Sequence, residues 1–292
     1  MTAMRHETVH LRLGPFTAAL TTAFREVGDA LARLYPPQFR KAAGAFADFH
    51  VALVPGKGVR RFVRPQARFL IDGQDPFKPL PVDQALPLVE WGLNYAIAGL
   101  AHQYMIVHAA AIEKNGRVAI LPGAPGSGKS TLTAGLVHRG WRLLSDELAL
   151  IRRDDGRVVP LARPVNLKNA SIDVLKSFAP QAVFSEAVAD TVKGTVALMR
   201  APDDSLERVD EVAPVRWIVF PRWRAGDAAR FTPFSKAASL IEIGHHAMNY
   251  SLHGAQGFAL LSKILEKSGC YRFAYGDLNE AASAFDALAA AA

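Results

Sequence analysis

Cysteine is nearly absent from this sequence, because Cys270 is the only one among 292 residues. A single thiol excludes an intramolecular disulfide, and chains without disulfides are typical of reducing compartments. Cys270 lies between Gly269 and Tyr271 with no motif around it. We therefore expect it to be a small buried side chain rather than a nucleophile.

Long apolar runs are also missing. The longest mostly apolar stretch near the front of the sequence, residues 85–101, is interrupted by Pro87, Glu90 and Asn94. A helix that crosses a bilayer rarely carries such residues. The first residues show no basic segment followed by an apolar one, as a secretory leader would. We expect a cytoplasmic protein without a membrane span.

Nucleic-acid motifs are absent too, although the net charge is +7. The basic residues are spread along the chain, and their densest group lies on a segment with strand-like alternation. That group is either a basic binding face or an ordinary solvated strand face, and it consists of Lys57, Arg60, Arg61, Arg64 and Arg68. We predict no nucleic-acid partner.

The rest of the composition, 50% hydrophobic and 21% charged, is that of a globular protein. Residues 1–102 predict a β-rich N-terminal domain with a connecting helix. Strands are predicted where apolar residues alternate between turn signals, at 10–13, 49–54, 61–63 and 68–71. Helices are predicted from Phe24 to Leu34, and from an N-cap at Asp83 to Gly99.

Residues 103–292 predict an α/β domain. Apolar strands at 105–112 and 117–121 precede a glycine-rich segment, a helix at 130–138, and strands at 142–144 and 148–151. Strand, loop, helix and strand within such a short span form the unit in which a phosphate-binding loop belongs. Further on, residues 237–267 predict two helices broken near 249–254, and residues 279–288 predict a closing helix.

The glycine-rich segment, residues 123–130, reads Gly-Ala-Pro-Gly-Ser-Gly-Lys-Ser and matches a phosphate-binding loop. Glycines let the backbone amides converge on phosphate without an obstructing Cβ. Lys129 is expected to reach the β- and γ-phosphates, and the Ser130 hydroxyl to bind Mg²⁺. The predicted ATP-binding residues are Gly123, Ala124, Pro125, Gly126, Ser127, Gly128, Lys129, Ser130 and Thr131.

Two adjacent carboxylates, Asp146 and Glu147, follow the predicted strand 142–144, 17 residues after Lys129. A carboxylate at the end of a strand beside the loop suits magnesium coordination. One acid can bind the metal, together with Ser130, while the other accepts a proton from an attacking hydroxyl. The alternative is a solvated turn after a strand.

His108 lies in the apolar strand before the loop, where a histidine alone is more often a core residue than a catalytic one. Together with the loop and the segment Val-His-Arg-Gly-Trp-Arg-Leu-Leu-Ser-Asp-Glu at 137–147, however, it resembles the active site of the HPr kinase/phosphorylase family. The whole chain is similar to the divergent branch called HPr kinase-related kinases. The resemblance implies an α/β fold in which a P-loop domain of the HPr kinase/PEP carboxykinase type follows a smaller β-rich domain.

The sequence departs from that family at two positions of the motif. The family has two aspartates where this chain has Asp146 and Glu147, and its loop ends in Lys-Ser-Glu where this chain has Thr131 as the third residue. Its segment for phosphoserine handling and HPr docking is not found in residues 158–240. In that region Arg163, Lys168 and Lys193 are candidates to contact phosphate or an anionic substrate, or else exposed residues of ordinary turns.

The expected function is that of an ATP-dependent kinase with Mg²⁺, which transfers the γ-phosphoryl group to a hydroxyl. Asp146, Glu147, His108 and Lys129 are the predicted catalytic residues. The resemblance implies a serine of a peptide or small protein as acceptor and, since the family forms hexamers, a homo-oligomer. The alternatives are a small-molecule kinase acting on a sugar or hydroxy acid, and a P-loop ATPase or nucleotide switch without a phosphoacceptor.

Overall fold

A computed structural model of the protein describes residues 7–41 and 44–291. The fold is mixed α/β, with several sheets. Its strands are β1 (Glu7–Leu13), β2 (Phe16–Thr22), β3 (Arg40–Lys41), β4 (Phe49–Pro55), β5 (Gln66–Ile71), β6 (Leu80–Pro81), β7 (Tyr104–Lys114), β8 (Arg117–Pro122), β9 (Arg142–Ser145), β10 (Leu148–Arg152), β11 (Arg157–Val159), β12 (Val165–Lys168), β13 (Val188–Thr191), β14 (Gly194–Met199), β15 (Ala213–Trp223), β16 (Arg230–Pro233) and β17 (Gly269–Tyr275).

The helices are fewer than the strands within the described part of the chain, but longer on average. They are α1 (Arg25–Leu34), α2 (Ala85–Leu100), α3 (Lys129–Val137), α4 (Ala170–Phe178), α5 (Asp203–Glu207), α6 (Lys236–His246), α7 (Tyr250–Glu266) and α8 (Leu278–Ala290). The predicted break between two helices is present, since Ala247 to Asn249 separate α6 from α7 and Gly254 is non-helical within α7. Among the residues described, no helix is long and apolar enough to cross a membrane.

The chain divides into two compact units. Of the residues described, unit 1 comprises those within 1–99, 166–172 and 181–200, and unit 2 comprises those within 100–165, 173–180 and 201–292. Along the chain, the first change from unit 1 to unit 2 falls between residues 99 and 100, and the domain boundary between residues 102 and 103 stays a prediction. The later segments 166–172 and 181–200 return to unit 1, a feature that the predicted two-domain division of the sequence does not contain.

Unit 1 contains a six-stranded sheet in the order β3-β1-β2-β4-β5-β6, in which β2 and β4 are parallel and the other neighbouring strands are antiparallel. The strand predicted at 61–63 is wrong. Residues Gly58–Arg61 form a 3-10 turn, because Gly58 has a φ of 56° and interrupts the extended chain. Asp83 is not an N-cap either, since it lies inside the 3-10 turn Val82–Gln84 that leads into α2.

Unit 2 is built on an eight-stranded sheet in the order β11-β10-β7-β8-β15-β17-β16, with β9 also paired to β7. Strands β8, β15 and β17 are parallel, so their carboxyl ends meet at one edge. The apolar alternation of β7 and β8 gives Val107, Ala109, Val118 and Ile120 side chains that are fully buried. Cys270 on β17 belongs to the same core, as expected from its sequence context, and burial raises the pKa of its thiol.

Candidate active site

The glycine-rich segment connects the end of β8 at Pro122 to the start of α3 at Lys129. Ala124 to Gly126 are exposed at its tip, whereas Lys129 is only 9% exposed. Gly126 and Gly128 have φ values of 85° and 87°, which side chains with a Cβ rarely adopt. The backbone of this loop therefore depends on glycine at both positions, and the loop ends at the amino-terminal, electropositive end of α3.

Two aromatic residues from strands distant in sequence, β15 and β17, form hydrogen bonds to the carbonyl groups of the loop. Tyr275 Oη donates a hydrogen bond to the carbonyl of Gly128 at 2.8 Å, and the backbone N–H of Trp223 donates to the carbonyl of Ser127 at 2.9 Å. A Cβ added to Gly128 would collide with Tyr275 Oη and lie 2.6 Å from Trp223 Cβ. Burial raises the pKa of Tyr275 far above its usual value, so the phenol stays a donor.

The acidic pair occupies a gap in the pairing along β7. Strand β9 pairs with β7 up to Ser145 opposite Ala111, and β10 pairs with it from Leu148 opposite His108. Ser145 Oγ accepts the backbone N–H of Leu148 at 3.0 Å and closes this short turn. Asp146 and Glu147 thus lie beside the middle of β7, with Asp146 only 8% exposed and Glu147 half-buried. This burial differs from the solvated turn that was the alternative interpretation for the pair.

His108 joins the loop to the acidic turn. Its Nε2 lies 3.3 Å from Lys129 Nζ, and its ring makes a hydrogen bond to the backbone of Glu147. Because an ammonium group only donates, Nε2 is the acceptor and the ring is neutral. Burial, and next the charge of Lys129, lower the pKa of His108 to about 4. The neutral imidazole is therefore available to position the lysine.

A second histidine, His246, lies beside the first at the end of α6. The two ring centroids are 6.5 Å apart, and burial together with Lys129 lowers the pKa of His246 as well. The chain beyond α6 is fixed against β7 by a hydrogen bond from Met248 N to Ile106 O at 2.8 Å. Sequence reasoning did not identify His246, because it lies 138 residues after His108 and its helix carries no motif.

The residues that lead into the site occupy neighbouring register positions on adjacent strands of the sheet. Leu148 pairs with His108, the next residue Ala109 pairs with Pro122 at the start of the loop, and β15 lies on the other side of β8. This geometry brings together His108, Lys129, Ser130 at the start of α3, and the acidic turn. A buried cation, a row of loop amides and two carboxylates are the groups that phosphoryl transfer requires.

Magnesium is compatible with these residues. In the described ranges, no group of three or more His, Cys, Asp and Glu side chains could hold a metal by itself. Mg²⁺, however, is usually bound by one or two carboxylates together with substrate phosphates and waters. The hydroxyl of Ser130 and the carboxylates of Asp146 and Glu147 supply only oxygen donors, as this ion prefers.

The three predicted basic contacts are divided between the units. Arg163 belongs to unit 2 and is 6% exposed, whereas Lys168 and Lys193 belong to unit 1. Lys193 Nζ lies 4.8 Å from the centroid of the Trp91 ring, and the backbone N–H of Lys168 donates to Ser171 Oγ at 2.8 Å. Both contacts are internal to unit 1, and the role of the three residues in substrate binding stays a prediction.

Comparisons with known proteins give little further information. No protein-family profile and no curated protein matches the sequence. Among solved structures, the Hpr(Ser) kinase/phosphatase from Coxiella burnetii aligns over 64% of this chain and 99% of its own, with 11% sequence identity and a TM-score of 0.28. This similarity is weak.

Proposed function

We propose that this protein is an ATP-dependent kinase that transfers the γ-phosphoryl group to a hydroxyl, with a serine of a peptide or small protein as acceptor. The observation that carries the proposal is the 3.3 Å contact between His108 Nε2 and Lys129 Nζ. This contact links the glycine-rich loop to β7, the strand beside the acidic turn. Lys129, the amides of the loop and the carboxylates of Asp146 and Glu147 can then act in one active site.

The loop and Lys129 bind and neutralise the triphosphate. Backbone amides at the start of α3 point toward a phosphate bound there, and the helix dipole favours negative charge at the same place. Lys129 is largely withdrawn from water, where its charge acts more strongly on a transferring phosphoryl group than in solvent. His108 accepts a hydrogen bond from the lysine and so restricts its position.

The two carboxylates have separable tasks. Asp146 is the more deeply buried acid, and it accepts the proton of the attacking hydroxyl or binds the metal. Glu147 would contribute a carboxylate to bound Mg²⁺, with the Ser130 hydroxyl as a further ligand. Bound Mg²⁺ would supply charge neutralisation between the β- and γ-phosphates.

The choice of acceptor is supported by the motif resemblance of residues 107–147, in which histidine, loop and acidic pair follow one another as in the HPr kinase/phosphorylase family. The exposed tip of the loop, Ala124 to Gly126, is compatible with access for a bulky acceptor.

The test measures ADP release from Mg-ATP by purified full-length protein, with and without a library of serine-containing peptides and sugars. We expect turnover to depend on a peptide acceptor, and ³²P from the γ-position to appear on its serine. Strong ATP hydrolysis that no acceptor stimulates would refute the kinase in favour of an ATPase. Transfer to sugars alone would refute the peptide acceptor.

Two substitutions assign the roles within the site. Lys129→Met is expected to abolish measurable Mg-ATP binding in calorimetry, whereas the matched change at an exposed lysine of α7, Lys263→Met, leaves it intact. Asp146→Asn is expected to retain ATP binding and to lower transfer about 10²- to 10⁴-fold, the range for a lost general base. Full transfer activity in Asp146→Asn would show that this acid is assigned wrongly.

A further inference from the structure

We infer that Trp223 forms the base subsite of the nucleotide, where its indole stacks against the purine ring of ATP. The inference rests on the proposed function, because it assumes that a nucleoside triphosphate binds the loop. It adds to that proposal a residue that contacts the base and the orientation of the nucleotide, that is, which end of the site binds the γ-phosphate and which binds the base.

The direction follows from the order of the strands. His108 on β7 and the acidic turn beside β10 lie on one side of β8, whereas β15 and then β17 lie on its other side. The chemistry that acts on the γ-phosphate is thus confined to the β7 side. A triphosphate with its γ-phosphate at Lys129 and His108 then extends across the loop, and its nucleoside leaves the loop toward the end of β15.

Trp223 is the last residue of β15 and is fixed against the loop at that place. Its N–H donates to Ser127 O at 2.9 Å, and its Cα pairs in register with Tyr275 of β17. Its Cβ lies 2.6 Å from the position that a side chain on Gly128 would occupy. The backbone of Trp223 is therefore in direct contact with the loop.

The indole, by contrast, is 50% exposed, although tryptophan normally buries most of its surface. The other two tryptophans of unit 2, Trp141 and Trp217, are 1% and 3% exposed and contact each other edge to face in the core. A half-exposed indole whose backbone is bonded to the loop offers the flat apolar surface on which a nucleobase stacks.

If the base stacks on Trp223, removal of the indole should lower the affinity only for ligands that carry a base. Replacing an aromatic platform by alanine weakens base binding roughly ten- to hundredfold. Inorganic tripolyphosphate has no base, so Trp223→Ala should change its affinity by no more than about twofold. Trp223→Phe keeps an aromatic ring and should recover most of the affinity for ATP.

The experiment titrates full-length wild type, Trp223→Ala and Trp223→Phe with Mg-ATP and with Mg-tripolyphosphate by calorimetry. Phe258→Ala, at an equally exposed aromatic residue of α7 (53% exposed), is the matched control and should bind both ligands as the wild type does. The expected result is a loss for ATP alone in Trp223→Ala, with recovery in Trp223→Phe.

Equal affinity for ATP in wild type and Trp223→Ala would overturn the inference and leave the proposed function standing. Equal losses for ATP and tripolyphosphate would also overturn it, because they would mean that the substitution damages the loop. If wild type bound neither ligand, both the proposed function and the inference would be refuted. Tryptophan fluorescence gives a second readout: ATP should quench the wild type more than Trp223→Phe.

Discussion

Gly128→Ala perturbs the loop at the position where backbone conformation and crowding act together. Gly128 has a φ of 87°, and an added methyl group would collide with Tyr275 Oη and approach Trp223 Cβ at 2.6 Å. Gly126 has nearly the same φ, 85°, but nothing lies within 4 Å of the position of its Cβ. Gly126→Ala is therefore a matched control that carries the conformational cost without the collision.

The size of each effect can be worked out separately. A left-handed conformation costs an alanine about 1–2 kcal/mol, and the lower entropy of the unfolded chain returns about 0.4–1 kcal/mol. Gly126→Ala should then lose about 1 kcal/mol of unfolding free energy. Forcing a methyl group into the packed contacts at Gly128 adds about 1–3 kcal/mol, so Gly128→Ala should lose about 2–4 kcal/mol.

Urea unfolding followed by tryptophan fluorescence measures the difference. With an m value of about 2 kcal/mol/M, the midpoint should fall by about 1–2 M in Gly128→Ala and by about 0.5 M in Gly126→Ala. Adding Tyr275→Phe to Gly128→Ala should cost less than the sum of the two single changes, since the collision with the hydroxyl is removed. Equal midpoints for the two alanine variants would refute the packing of Tyr275 and Trp223 against the loop.

Two further predictions concern groups withdrawn from water. The pKa of His108 is lowered from 6.5 to about 4 in the folded protein. Between pH 6.5 and pH 4, therefore, the unfolded chain binds a proton that the folded chain does not. The free energy of unfolding should fall by roughly 1–2 kcal/mol as the pH drops through this range. The melting temperature of nucleotide-free protein should fall across this pH range in the wild type and in the exposed control His102→Gln, but should fall less in His108→Gln. An equal fall in His108→Gln would contradict the assignment of this pH dependence to His108. Glu113 and Arg142 form a pair at 2.6 Å with both side chains 2% exposed, and Glu113→Gln, which leaves the arginine charge buried, should cost about 3–5 kcal/mol in urea unfolding. Asp154→Asn, in an exposed pair with Arg152, should leave the midpoint nearly unchanged, and equal midpoints for the two variants would show that the buried pair is not important.

The elements nearest the loop could be predicted because their determinants are local. The apolar strands before and after the turn at Gly116, the glycines at positive φ, and the helix after them all lie within a short span of sequence. The acidic pair follows the next strand, and its position beside β7 needs only that neighbouring segments pair. Such patterns are readable because hydrophobic periodicity and turn chemistry act over a few residues.

Other features depend on contacts between distant parts of the chain. Segments 166–172 and 181–200 return to unit 1, and no composition change along the sequence marks that return. The strand predicted at 61–63 fails for a different reason, because its alternation is correct for a strand while Gly58 starts a 3-10 turn just before it. His246 reaches His108 only through the packing of α6 against β7.

The two ends of the proposed nucleotide site also differ in whether nearby or distant residues of the sequence determine them. Phosphate is recognised by backbone amides and one lysine, and a single contiguous loop can supply both. The eight residues 123–130 are therefore enough to predict a phosphate-binding loop from the sequence. A base is recognised by side chains that the sheet brings beside the loop, and the side chain that we infer for this role, Trp223, lies 95 residues after Gly128. A sequence can therefore identify the triphosphate end of such a site directly, whereas the nucleoside end becomes visible only when the parallel order of β8, β15 and β17 is known.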